Sequence, residues 1–281
     1  MGIYVRPTTL SHALECRAAG AEILAGGTDF WPVRVGKPAY STSASEILDL
    51  SGLVGLRGIG RSNEHFRLGA LTTWTDIAEA KLPAAFEALQ MAAREIGGRQ
   101  IQNRGTIAGN LCNASPAADG VPPLLALDAS VELASLSRTR SMRLAEFLIG
   151  PRQTALQPDE VMTALLIRLP QPEAGSFFIK LGARKYQLIS IVMGAAAWHV
   201  QEGRLASVAI SIGACSPVAQ RLSALEQVLV GAPAKDLDRL VLPEHFKALA
   251  PIDDIRADAA YRREAATVIV QRLLAEIAGR P

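Results

Sequence analysis

The chain has 281 residues, 49% of them hydrophobic, and 29 basic against 27 acidic side chains leave a formal net charge of +2. That is enough apolar material for a sizeable core and, on length, for two or three domains. The near-balance of charge, without a basic tail or stripe, excludes a nucleic-acid binder.

No apolar run is long and unbroken enough to span a bilayer, and the start Met1-Gly2-Ile3-Tyr4-Val5-Arg6-Pro7 lacks the charged and apolar regions of a signal peptide. Cys16, Cys112 and Cys215 are far apart and form no C-x-x-C pair. They argue against a disulfide framework or a cysteine-held cluster and for a reducing, cytoplasmic setting. The four histidines are scattered, with no metal-ligand spacing, so no metal site is expected.

In chain order, residues 8–20 read as a helix capped by Thr8 or Thr9 and ended by Gly20. Ile23-Leu24-Ala25 is a buried strand running into Gly26-Gly27, and residues 47–50 form a second strand. This unit ends near residue 57, and the glycines at 55, 58 and 60 read as a link. Residues 66–70 alternate as a strand, and 75–80 and 83–96 are helical. Residues 97–123 then form a long ordered loop rich in Gly, Asn, Ser and Pro, a length that usually has a functional reason. Pro122-Pro123 start a helix, and strands follow at 130–133 and 161–169. A third unit opens after residue 172 with a strand at 177–181 and a hairpin of 195–200 and 205–212 turned by Glu202-Gly203. Helices at 222–230 and 256–277 close the chain. The second has Ala260, Ala266, Ile269, Val270, Leu273 and Leu274 on its buried side.

Two stretches carry chemistry. Ala25-Gly26-Gly27-Thr28-Asp29 follows a strand. Paired glycines there let the backbone approach a ligand, and successive N–H groups form an anion nest. A plain turn is the alternative for these residues taken alone. Thr106-Ile107-Ala108-Gly109-Asn110, with Asn113-Ala114-Ser115-Pro116-Ala117-Ala118-Asp119 behind it, joins small residues and backbone donors to polar side chains. A dinucleotide needs both, donors for its pyrophosphate and Asn, Ser or Asp for its hydroxyls. Neither stretch is a Rossmann fingerprint or a Walker A loop, and no Ser–His–Asp set can be assigned.

Together with Leu68-Gly69-Ala70-Leu71-Thr72-Thr73, residues 99–111, Phe178 to Lys185 and Tyr261-Arg262, these motifs resemble the FAD-binding medium subunit of molybdenum hydroxylases, the xanthine dehydrogenase and carbon monoxide dehydrogenase family. The resemblance runs the length of the chain. It implies an α+β fold: a two-lobed, PCMH-type FAD-binding domain (lobes 1–57 and 58–172) and a smaller α+β C-terminal domain, 173–281. It further implies that residues 25–29 wrap the pyrophosphate, with Ile23 and Leu24 leading in. Ala70, Thr106, Gly109 and Asn110 would meet the diphosphate and its neighbours, and Ile101 would wall the flavin or adenine. Asn113 and Asp119 would bond sugar or ribityl hydroxyls. Lys180 would approach the cofactor from the C-terminal side, the alternative being an ordinary solvated lysine on a strand.

No acid–base catalytic residue is expected on this chain. Partners implied by the resemblance are a large molybdopterin-binding subunit and a small subunit with [2Fe-2S] clusters, assembled as a dimer of heterotrimers, with this chain receiving electrons at FAD and passing them to an external acceptor. A self-sufficient flavin oxidase or dehydrogenase, and an assembly protein that has lost FAD, stay open. Phe30-Trp31 departs from the aliphatic residue usual after the first motif. Cys112, without a basic sequence neighbour, reads as a small packed residue.

Overall fold

The computed structural model describes residues 4–35, 46–184 and 188–279. Lys185, the last residue of one motif, lies outside them.

The first unit is a three-stranded parallel sheet. Strands β1 (Tyr4–Val5) and β2 (Glu22–Leu24) flank β3 (Ile47–Asp49), with Tyr4 and Glu22 both in register with Ile47. Parallel strands need a crossover connection, and α1 (Leu10–Ala18) carries the chain from β1 to β2 on the other side of β3. Thr9 caps it by accepting from the His12 amide, and Ala13, Leu14 and Cys16 are its buried residues.

The second unit is a five-stranded antiparallel sheet with helices laid on it. In chain order its strands are β4 (Ile59–Arg61), β5 (His65–Gly69), β6 (Ser130–Ala134) and β7 (Thr139–Arg143). A small hairpin of β8 (Leu148–Gly150) and β9 (Gln153–Thr154) precedes β10 (Val161–Arg168), and the sheet order is β4-β5-β10-β6-β7. The helices are α2 (Trp74–Glu79), α3 (Glu87–Glu95), α4 (Arg99–Arg104), α5 (Ile107–Asn113), α6 (Val121–Ala126) and α7 (Leu144–Phe147). The strands' inward residues, Phe66, Leu68, Val131, Leu133 and Leu165, meet Trp74, Phe86, Leu89, Ile107, Leu111 and Leu124 in one core. A Thr73–Asp76 capping box starts α2 by satisfying two orphan amides at once.

The third unit is the antiparallel sheet β11 (Gly175–Leu181), β12 (Val192–Gln201), β13 (Arg204–Gly213) and β14 (Gln220–Arg221), with α8 (Ser223–Leu229) and α9 (Ala259–Gly279). Glu202 and Gly203 both take positive φ, as a two-residue hairpin turn demands. One sheet face packs on α9 through Ile269, Val270, Leu273 and Leu274. The other is lined by Met193, Ala195, Ala197 and Ala209 and receives α3 and α6 through Ala88, Ala92 and Ala126. The fold is α+β, as the sequence predicts.

Several expectations change. The loop expected over 97–123 contains α4, α5 and the start of α6. Ile107, Ala108 and Leu111 bury one side of α5, and this tertiary burial carries a polar, glycine-containing stretch into helix. The glycine-rich link near residue 58 contributes Ile59 and Gly60 to β4. In α9 Ala260 faces solvent, and Arg262, Ala265 and Ile277 join the buried side.

Candidate functional site

The strand β2 ends at Leu24 and the chain turns at residues 25–29. Gly27 sits at φ +78°, and a Cβ on Gly26 would drive into the backbone carbonyl of Arg104 at the end of α4. Only glycine allows that approach of two backbones. The result is a loop whose amides at Gly26, Gly27, Thr28 and Asp29 find no acceptor among the described residues.

Opposite stands the N-terminal turn of α5. Thr106 caps it, its Oγ1 accepting from the Gly109 amide at 3.1 Å. The Ile107 amide donates to Thr72 O and the Ala108 amide to Ala70 O. These bonds narrow one expectation: in the second motif the amides of Ile107, Ala108, Gly109 and Asn110 are spent within the protein, and only that of Thr106 has no acceptor among the described residues. What it presents instead is side-chain chemistry. The Asn110 Oδ1 is buried and has no hydrogen-bond partner among the described residues. A buried acceptor without a donor costs about 1–3 kcal/mol, and this one belongs to a residue that lines the cleft.

Three neighbouring cavities with shared lining residues lie along this cleft. The central one, about 160 Å³, is lined by residues 25–30, Trp74, Ile96, Ile101, Gly105, Thr106, Gly109 and Asn110. It shares Ala25, Gly26 and Thr106 with a cavity of about 240 Å³ that reaches Ser51, Arg57, Asn103 and Arg104. In the other direction it shares Thr28, Asp29, Ile96, Ile101 and Asn110 with one of about 610 Å³ that reaches Asp119, Leu188 and Ile189. An extended ligand fits this shape. Unfilled amides on one wall, an empty carboxamide acceptor on the other and apolar Ile96 and Ile101 between them match a dinucleotide with a flat aromatic end.

Of the residues expected from sequence, Ala25, Gly26, Gly27, Thr28, Asp29, Ile101, Thr106, Gly109, Asn110 and Asp119 line these cavities. Ile23 and Leu24 lie behind them, paired with Leu48 and Asp49 in the first sheet. Ala70 is buried and bonds the α5 backbone. Asn113 is turned aside, its Nδ2 donating to Asp29 Oδ1 at 2.9 Å. Lys180 stands behind Asp119 with its Nζ 2.6 Å from Oδ2, a buried ion pair and not a solvated lysine. Burial pushes the Asp119 carboxyl above its usual range, opposed by the Lys180 ammonium and the Ser190 hydroxyl.

Sequence reasoning missed Trp74, Ile96, Gly97, Leu188 and Ile189, which also line the cleft, as does Phe30, singled out in the sequence as a departure from the family pattern. The one local signal was the left-handed Gly97 that ends α3 beside Ile96. Cys112 has a basic neighbour in space, Arg17, but burial outweighs that charge and pushes the thiol up to about 12. No cluster of metal-ligating side chains occurs among the described residues, and none of their helices is long and apolar enough to cross a membrane.

Residues 1–172 match the family described as FAD binding domain in molybdopterin dehydrogenase, and residues 177–277 match the CO dehydrogenase flavoprotein C-terminal domain. The nicotinate dehydrogenase FAD-subunit of Eubacterium barkeri is 33% identical over 91% of this chain and 87% of its own length. The putative xanthine dehydrogenase FAD-binding subunit of Escherichia coli K12 is 30% identical over 97% and 94%. Among solved structures, the reconstituted CO dehydrogenase from Oligotropha carboxidovorans superposes with a TM-score of 0.89 at 25% identity, covering 100% of this chain and 99% of that one. The chain therefore belongs to the FAD-binding subunits of the molybdopterin dehydrogenases: it is an oxidoreductase subunit whose cofactor is FAD.

Proposed function

We propose that this chain is the electron-transfer subunit of a heteromeric molybdenum hydroxylase, accepting electrons from the [2Fe-2S] clusters of a small partner subunit, fed in turn by a large molybdopterin-binding subunit, and passing them to an external acceptor. Bound in the cleft, FAD supplies the redox chemistry, and the protein supplies placement and tuning. The observation that carries the reading is the pairing of four unfilled amides on residues 26–29 with the orphaned Asn110 Oδ1 in one cavity.

The parts divide as follows. The amides of Gly26 to Asp29 hold the diphosphate, and Thr106 and Gly109 shape the facing wall. Asn110 accepts from a cofactor hydroxyl or N–H. Ile96 and Ile101 supply apolar contact for a ring. Asp119, fixed by Lys180 and Ser190, presents a carboxyl at the end nearest the C-terminal sheet. The three free cysteines support a cytoplasmic setting, and a dimer of heterotrimers is the proposed assembly.

Replacing Gly109 with valine tests the site. Its Cβ would meet Thr106 Oγ1 at 2.8 Å and project into the cavity. The variant is expected to purify without flavin, read from absorbance in the blue and near-ultraviolet, and stoichiometric flavin in it would overturn the assignment. The relay is tested by rapid mixing. Flavin in this chain alone should stay oxidised with the complex's substrate and be reduced once the two partner subunits are present. Substrate oxidation by the lone chain would favour the self-sufficient enzyme.

A further inference from the structure

Asp29 lines two of the three cavities, and among the described residues its carboxylate has one partner, the Asn113 amide. Asn113 is committed at both ends. Its Nδ2 donates to Asp29, and its Oδ1 accepts from Arg152 Nη1, which also reaches Asn113 O at 3.4 Å. Arg152 is held in turn. It occupies the turn between β8 and β9 at φ +60°, and its amide donates to Ala114 O at 2.9 Å. Asp29 follows the first sheet, whereas Asn113 and Arg152 belong to the second unit, so the chain of contacts crosses the cleft mouth.

Resting on the FAD reading, we infer that Asn113 and Arg152 are positioning residues that aim Asp29 at a hydroxyl of the cofactor. Asn113 gives one Nδ2 hydrogen to Asp29 and its Oδ1 to Arg152, and it does not line the cavities, whereas Asp29 lines two of them. The open oxygen of Asp29 suits a hydroxyl donor while repelling a further phosphate. A guanidinium on Asn113 Oδ1 polarises the amide, so its N–H binds the carboxylate more strongly. Without the clasp, Asp29 is an exposed carboxylate beside a diphosphate, free to swing and repel it.

The test is a set of FAD titrations of the full chain stripped of flavin, read by fluorescence quenching, with apo-protein melting as a control. A hydrogen bond of ordinary worth predicts a loss of affinity of about fivefold for Asn113→Ala, Arg152→Ala and Asp29→Ala. The double variant Asp29→Ala/Asn113→Ala should bind no more weakly than Asp29→Ala alone, which a merely structural role would not produce. Arg152→Lys should restore most of the affinity. Asn113→Asp, which keeps an acceptor for Arg152 but faces Asp29 with a second carboxylate, should bind more weakly than wild type with unchanged melting. Losses that multiply in the double variant, or wild-type affinity in Asn113→Ala, would overturn the clasp and leave the FAD reading standing. A wild-type chain that takes up no FAD would overturn both.

Discussion

Burying Lys180 against Asp119 takes two charges out of water, and such a pair persists only when the remaining donors and lone pairs are satisfied. Here Lys180 Nζ also donates to Glu95 O at 3.2 Å, and Ser190 donates to the second Asp119 oxygen. A second pair, at the start of α9, lends itself to titration. Asp254 is held down to about 2 by the Arg256 amide first, and then by the Arg256 and Arg262 guanidinium groups. Its folded value lies below the ordinary 3.8. Its contribution is therefore complete above about pH 4 and disappears as pH falls towards 2. Asp254→Asn should lower the melting temperature at neutral pH, and the gap to wild type should close between pH 4 and 2. A gap unchanged across that window would contradict the assignment.

At the scale of elements, α5 does most for the site. Seven residues are too few for a helix that stands alone. This one is held by buried Ile107 and Leu111, by the Thr106 cap and by bonds from its first amides to Thr72 and Ala70. Thr106→Ala removes the cap and should cost about 1 kcal/mol in denaturant unfolding, with a parallel loss of FAD affinity because the same turn forms one wall of the cavity. The first motif was more legible than this helix. Gly26-Gly27 after an apolar strand announces a tight loop, whereas Gly105 to Asn113 reads as loop because glycine and asparagine are weak helix formers. Only the core beneath α5 overrides that preference.

For the whole molecule, the seam between the second unit and the C-terminal sheet decides where Lys180 lies. Small residues on both sides, Ala88, Ala92 and Ala126 against Ala195, Ala197 and Ala209, let α3 and α6 lie close to the sheet. β11 is thereby brought to Asp119. Ala195 is fully buried there. Ala195→Leu should overpack the seam and destabilise the protein by about 1–3 kcal/mol, measured by thermal unfolding, and should shift the flavin absorption bands by moving β11 relative to the cleft. An unshifted spectrum in a folded, destabilised variant would detach the seam from the cofactor environment.

Local grammar alone determined the strand–glycine–glycine loop, the capped first helix and the Glu202-Gly203 hairpin, because each depends on neighbours in sequence: turn φ values, side-chain caps, alternating burial. The motif series determined the family and FAD. Only the tertiary structure decided which polar groups are free. It spent the first α5 amides on Thr72 and Ala70, tied Asn113 to Asp29 and Arg152, buried Lys180 with Asp119, and left the amides of residues 26–29 and the Asn110 oxygen without partners among the described residues. Hydrogen-bond partners come from residues as far as 143 positions apart, and Asn113 and Asp29 are separated by 84, so no local reading of the chain assigns them.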